Sequence, residues 1–264
     1  MNQDEILLSK EDAIVILTLN RTDKLNALTI DMVDRLPGIV EDIRMDDSLK
    51  VLIITGAGRS FCAGADVGRM GSGYFSRDRV KTRREVTSPP GYQYLALSQL
   101  EKPTIAAING IAVGAGISIA LACDIRIASE QARFTAAWVK RGLIPDAGAT
   151  YFLPRLLGIS KALELMFTGD VVDAAEAERI GLVNRVVPHD DLMTVTRELA
   201  RKIAEGPSVA IELMKRVAYM GLVQDLETQF NFESYAQRVC TRTEDHKEGI
   251  EAFMQKRQPQ FKGR

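Results

Sequence analysis

Histidine is scarce in this chain of 264 residues: His189 and His246 are its only two. Neither has a second ligand at metal spacing. His189 follows Pro188 in an expected loop and His246 sits in a charged run, so both read as solvated imidazoles and no metal is expected. Cysteine is almost as rare. Cys62, Cys123 and Cys240 lie far apart and form no CxxC pair, which fits buried small side chains in a reducing compartment. A surplus of one charge is missing too: 34 Lys and Arg against 35 Asp and Glu leave a formal net charge of −1, giving no argument for nucleic acid or an anionic membrane as partner. No apolar run reaches the length of a transmembrane helix. The polar, acidic start Met1-Asn2-Gln3-Asp4-Glu5 shows no secretory signal, and the expected location is cytoplasmic. What is there, 46% hydrophobic and 26% charged residues, is the composition of an ordinary globular protein.

Strand and helix patterns alternate over the first three quarters of the chain, and helices alone fill the last. Ile14 to Leu19 and Val51 to Thr55 read as buried strands, with Glu5 to Ser9 pairing the first. Between them Thr29 is an expected N-cap, followed by a stripe of Ile30, Val33, Leu36, Val40 and Ile43 that Pro37 interrupts. Phe61-Cys62-Ala63-Gly64-Ala65-Asp66 is a tight turn of small residues with Asp66 as a cap. Gly68 to Pro90 is rich in Gly, Ser, Pro and Arg, and is expected to be mobile. Tyr92 to Leu100 looks helical. Later come helices at Ser160 to Phe167 and Ala174 to Arg179, then a strand at Leu182 to Val187. Four more helices are expected near 190–205, 208–220, 224–240 and 244–256.

The stretch from Lys102 to Arg155 organises the rest. A strand at Thr104 to Ile108 turns at Asn109-Gly110 and reaches Gly114-Ala115-Gly116, which opens a buried helix through Ala122. A second apolar run, Asp124 to Ala128, and a helix starting at Pro145-Asp146 follow. A helix start leaves backbone N–H groups without partners, and small residues there let a ligand come close, so Gly114-Ala115-Gly116 suits an anionic oxygen as well as it suits a packed turn. It is not a dinucleotide loop, because Ile119 stands where the third glycine belongs.

Several blocks together resemble the enoyl-CoA hydratase/isomerase, or crotonase, superfamily. They are Asn20-Arg21 with Leu25-Asn26-Ala27-Leu28, Phe61 to Val67, Lys102 to Gly110, Ala122-Cys123-Asp124-Ile125, Leu153-Pro154-Arg155, Thr168-Gly169-Asp170 and Gly181-Leu182-Val183-Asn184. Gly249-Ile250-Glu251-Ala252-Phe253 with Lys256-Arg257 closes the series. The resemblance spans nearly the whole chain in order. It implies an α/β fold, a spiral of ββα turns over residues 1–200, with a helical C-terminal region at 201–264 used for contacts in a homotrimer or dimer of trimers. It implies an acyl-CoA thioester as substrate, with coenzyme A as part of it and no separate cofactor. The thioester oxygen would rest on the N–H groups of Ala65 and Ala115 while an enolate forms. Ala63, Asp66 and Val67 fall where the family encloses the adenine and the pantetheine arm, and Lys24 and Leu25 where it passes the CoA phosphates. Gly114, Phe253 and Lys256 are placed with the substrate-binding residues on the same ground.

The departures from the family pattern carry the finer expectation. Hydratases of the family hold and split a water with two glutamates; Ser118 and Trp138 stand at those positions here. Neither exchanges protons near pH 7 as a carboxylate does. One acid remains, Asp146, at a position resembling the acid of the single-acid enoyl-CoA isomerases of the peroxisomal and phenylacetate-degradation type. It reads alternatively as a helix N-cap after Pro145. The expected activity is a double-bond shift in an acyl-CoA by one base, with Trp138 walling the pocket and Ser118 beside the substrate. The spacing of Trp138 and Asp146 also resembles acyl-CoA dehalogenases, but the histidine they need falls near Gly91, where there is none. A hydratase with an unusual constellation and a non-catalytic CoA-binding subunit stay open as alternatives.

Overall fold

The structure is a computed structural model, and it describes residues 4–66, 68 and 91–264. Val67 and the segment near 70–90 expected to be mobile lie outside the described residues. β1 (Ile6–Glu11) and β2 (Ile14–Leu19) form an antiparallel hairpin. β2 then runs parallel to β3 (Val51–Gly56), β3 to β5 (Thr104–Ile108), β5 to β7 (Ile125–Ser129), and β7 to β10 (Arg185–Val187), making a six-stranded sheet. β4 (Ser60–Cys62), β6 (Ile111–Val113), β8 (Arg133–Thr135) and β9 (Val171–Asp173) form a second sheet of four. Each of the pairs β3–β4, β5–β6 and β7–β8 therefore steps from one sheet to the other, and a helix returns the chain. This is the expected ββα spiral.

Both faces of the large sheet are covered, which is why its strands read as unbroken apolar runs. Leu17, Leu52, Ile54, Ala106, Ile108 and Ala128 point into the core shared with the small sheet and its helices. Their neighbours Ile16, Ile53, Ile105, Ala107 and Ile127 point the other way, onto a second core. The period of two along a strand makes this division. The helix on that second face carries Leu192, Ala200 and Ala204.

α1 (Ile30–Met45) starts as expected, with the Thr29 hydroxyl accepting the Met32 N–H and Val33, Leu36, Val40 and Ile43 buried. Pro37 lies inside it. Lys102 is buried and donates to the carbonyls of Ile43 and Asp46 at 2.6 and 2.7 Å, a cation at the negative end of that helix. α2 (Leu95–Gln99) and α3 (Ala115–Ala122) are short, and every residue of α3 is buried. α4 (Ala149–Leu157), α5 (Ile159–Thr168) and α6 (Ala174–Arg179) flank the small sheet. α7 (Leu192–Ala204) is the helix that covers the second core, and α8 (Ser208–Gly221), α9 (Leu226–Cys240) and α10 (Glu244–Gln255) end the chain. α8 docks through polar groups: Lys215 pairs with Asp124 at 2.8 Å and the Tyr219 hydroxyl donates to the same carboxylate at 3.0 Å. No described helix is long and apolar enough to cross a membrane.

Two expectations need correction. The strand foreseen at Leu182–Val187 begins only at Arg185, because the N–H groups of Leu182 and Val183 turn back to the Ala177 carbonyl and close α6. The helix foreseen at Pro145-Asp146 begins at Ala149, with Gly148 in the N-cap position and φ +87°.

Candidate active site

The site begins with two turns of small residues pressed together. Leu28 bridges to Ala65, donating its N–H to the Gly64 carbonyl at 2.8 Å and accepting the Asp66 N–H at 3.0 Å. In that pattern the N–H of Ala65 itself points away from Leu28. On the other side Gly114, at φ +51°, ends β6 and starts α3, so the N–H of Ala115 is the first of the helix. Among the described residues neither N–H has a hydrogen-bond partner. The residues that carry these two orphan donors line one cavity.

Glycine makes the approach feasible. A Cβ at Gly64, whose φ is +93°, would fall 2.7 Å from the Val113 carbonyl oxygen. A Cβ at Gly116 would fall 2.3 Å from the Cys62 carbonyl oxygen. No side chain fits at either position, so the two turns sit backbone to backbone.

A cavity of about 60 Å³ lies between them, lined by Ala63, Ala65, Gly114, Ala115, Trp138 and Asp146 together with Gly64, Val113, Arg141 and Leu143. Among the described residues Asp146 is its one carboxylate. Its carboxyl oxygen accepts the indole N–H of Trp138 at 2.9 Å, and its main-chain carbonyl accepts both the Ser118 hydroxyl and the Ala149 N–H at 3.0 Å. Asp146 is therefore not the N-cap of α4: its side chain is turned into the cavity, where the residue is exposed. Trp138 contributes more than a wall, since it fixes the carboxylate with its N–H. The next residue, Ala147, is left-handed at φ +50°, a conformation that costs a non-glycine residue energy and that the flanking bonds must hold.

The other expected residues divide. Ser118 is fully buried and is not among the residues that line the cavity; its hydroxyl donates to the main chain of the Asp146 turn. Leu25 is left-handed at φ +51° and its carbonyl accepts the Ala63 N–H at 2.9 Å, which brings the exposed Lys24 to the edge of the same wall. Asp66 binds the Gly68 N–H at 3.1 Å, as a cap should, and pairs with Arg21 at 3.0 Å. Within one chain, Phe253 and Lys256 do not reach this place. Phe253 is 83% exposed on α10 and lines a different groove, with Pro207, Val209 and Ile250. Sequence reasoning missed Arg141, which ends the tight segment Val139–Arg141 after Trp138, and Leu143 just beyond it, because neither belongs to a motif with a signal of its own. Cys62 lies one residue from the lining, but burial pushes its thiol up to about 12, and burial does the same to Cys123, so neither is a thiolate near neutral pH.

Known proteins share this chain's sequence and fold. The profile of the enoyl-CoA hydratase/isomerase family matches residues 9–264. A short-chain-enoyl-CoA hydratase of Clostridium acetobutylicum is 40% identical over 100% of both chains. A 1,2-epoxyphenylacetyl-CoA isomerase of Escherichia coli is 36% identical over 98% of each. The crystal structure of an enoyl-CoA hydratase from Bacillus anthracis superposes with a TM-score of 0.91 at 38% identity, covering 99% of this chain and 100% of that one. The architecture is the crotonase fold. The chain belongs to the enoyl-CoA hydratase/isomerase family, and it is an enzyme of that family.

Proposed function

We propose that the protein is an acyl-CoA isomerase that moves a carbon–carbon double bond, from 3-enoyl-CoA to the conjugated 2-enoyl-CoA or in a related ring acyl-CoA. The observation that carries this reading is a small cavity whose lining, among the described residues, holds one carboxylate and two residues with N–H groups that have no partner. The thioester oxygen rests on the N–H groups of Ala65 and Ala115. Asp146 takes a proton from the α carbon, a dienolate forms with its charge on that oxygen, and Asp146 returns the proton to the γ carbon. One base suffices because no water is added. Each oxyanion donor of this kind contributes about 3 kcal/mol of transition-state stabilisation. No cofactor enters such a step beyond the coenzyme A of the substrate. Ala63 flanks the pantetheine arm and Leu25 and Lys24 lie toward the CoA phosphates, and we place the working enzyme in a trimer or a dimer of trimers.

Asp146→Asn tests the assignment. The amide oxygen can still accept the Trp138 N–H, so the turn should keep its shape while the proton carrier is gone. The variant should fold, bind acyl-CoA and lose at least ~100-fold in isomerisation, as general acid–base catalysis implies. Isomerisation within a few-fold of the parent would remove Asp146 from the mechanism.

The names of the relatives favour a second reading, hydration at an atypical site. Crotonyl-CoA distinguishes the two. With Ser118 and Trp138 where the paired glutamates belong, its hydration should be very slow. Turnover on the order of 10 per second or more would be that of an ordinary enzyme and would support the hydratase instead.

A further inference from the structure

A second cavity, of about 510 Å³, is lined by Ala147 and Gly148, the two residues that follow Asp146 of the first cavity. Five aromatic residues line it beside them, Tyr92, Tyr94, Tyr151, Phe152 and Tyr219, with Gly91, Leu95 and Ser98 completing the lining. The volume is that of a site for a small organic group. Aromatic side chains are only 6% of this protein, so five around one chamber is a concentration and not an average sample.

Three of the rings are held in place by contacts of their own. The hydroxyl of Tyr219 donates to Asp124 at 3.0 Å, inside the ion pair with Lys215, so its polar end is occupied elsewhere. Tyr151 and Phe152 meet edge to face with ring centroids 5.3 Å apart, and Arg155 covers Tyr151 at 3.5 Å from its centroid. Tyr94 is buried and Tyr92 stands exposed at the mouth. Ring edges and faces held in place favour another ring over a flexible chain: aromatic pairs gain attraction beyond the area they bury, and a planar group loses less rotamer freedom than a hydrocarbon tail.

We propose that this chamber receives the acyl end of the substrate and selects an acyl group carrying an aromatic or other planar ring close to the thioester. The inference rests on the acyl-CoA reading above and names its substrate class. Specificity then comes from Phe152, Tyr94 and Tyr219, while Asp146 and the two N–H groups do the same chemistry on any acyl group that fits.

Binding of unreactive acyl-CoA esters tests this apart from catalysis, because neither phenylacetyl-CoA nor hexanoyl-CoA has a double bond to move. Trp138 is the chain's sole tryptophan and lines the neighbouring cavity, so its fluorescence reports binding, with calorimetry as a second readout. Phenylacetyl-CoA should bind about tenfold more tightly than hexanoyl-CoA, consistent with one or two aromatic contacts. Phe152→Leu should bring that ratio close to one. Tyr151→Leu, at a partly exposed position, serves if Phe152→Leu does not fold, and should lower the ratio several-fold. Equal affinities in the parent, or a ratio that neither substitution moves, would overturn the proposal. Failure of the isomerase reading would show in turnover while leaving these affinities as they are. If no acyl-CoA binds at all, both readings fall.

Discussion

Ser118 shows how one residue can move from one role to another without leaving its place. At the position where hydratases of the family carry a glutamate, this chain has a buried hydroxyl that donates to the main chain of Asp146. α3 offers the Ala115 N–H at its first residue and the Ser118 hydroxyl one turn later, so one helix holds both the proposed oxyanion donor and the turn bearing the proposed base. Ser118→Ala removes one of two donors to the Asp146 carbonyl. The carbonyl keeps the Ala149 N–H, so the stability cost should be about 1 kcal/mol. The loosened base should lower kcat about tenfold with KM nearly unchanged, and Ser118→Thr, if the extra methyl is accommodated, should recover part of it. A loss confined to KM would mean that Ser118 supports binding and not the base. The converse substitution, Ser118→Glu, should not create a hydratase. Its carboxylate would enter a fully buried site closed by the Asp146 turn, and an unpaired buried charge costs several kcal/mol. A well-folded variant that hydrates crotonyl-CoA rapidly would refute that.

At the scale of elements, the spacing between α3 and the end of β4 sets the distance between the two N–H groups. Gly116→Ala should force them apart, because the added Cβ would lie 2.3 Å from the Cys62 carbonyl oxygen and 2.9 Å from its Cβ. Overpacking of this kind costs about 1–3 kcal/mol, which for a domain of this size lowers Tm by roughly 2–12 °C. Turnover should fall further than the stability loss explains; unchanged kcat and Tm would show that the two elements are not in tight contact. The same elements explain what could be read in advance. β3 and β5 were legible because sheet strands covered on both faces are apolar throughout. β4, β6, β8 and β9 were not: three residues show no period, and these strands exist by pairing with one another across the fold. Ala65, Ala115 and Asp146 were legible through their family context, and the structure brings them to one cavity. The bond from Trp138 to Asp146 was not, because which edge an indole presents depends on packing eight residues away and not on spacing. Phe253 and Lys256 were assigned from a C-terminal block whose place relative to the cavity a single chain does not provide.

For the whole molecule the unresolved balance is apolar surface. α8 and α9 pack on each other, yet neither has a fully buried residue. Met214, Leu226, Phe230, Tyr235, Phe253 and Met254 are all exposed along α8, α9 and α10. Two grooves of about 510 and 450 Å³ run between these helices, lined by residues such as Ile250, Phe253, Leu213 and Val217. A monomer rarely leaves so continuous an apolar face to water, while an interface between subunits puts it to use. α8 itself is held to the core by the Asp124, Lys215 and Tyr219 contacts, which lets its remaining faces serve another purpose. The expected assembly is a trimer or a dimer of trimers, built on the C-terminal helices. Sedimentation velocity at micromolar concentration should show one of these species. Phe230→Asp, which puts a charge on an exposed ring position of α9, should shift the population toward monomer while the circular dichroism of the fold stays the same. A monomeric parent would reject the assembly. A parent that is trimeric and unaffected by Phe230→Asp would place the interface on another face, and exchange of Phe253→Asp for Phe230→Asp would then show whether α10 carries it.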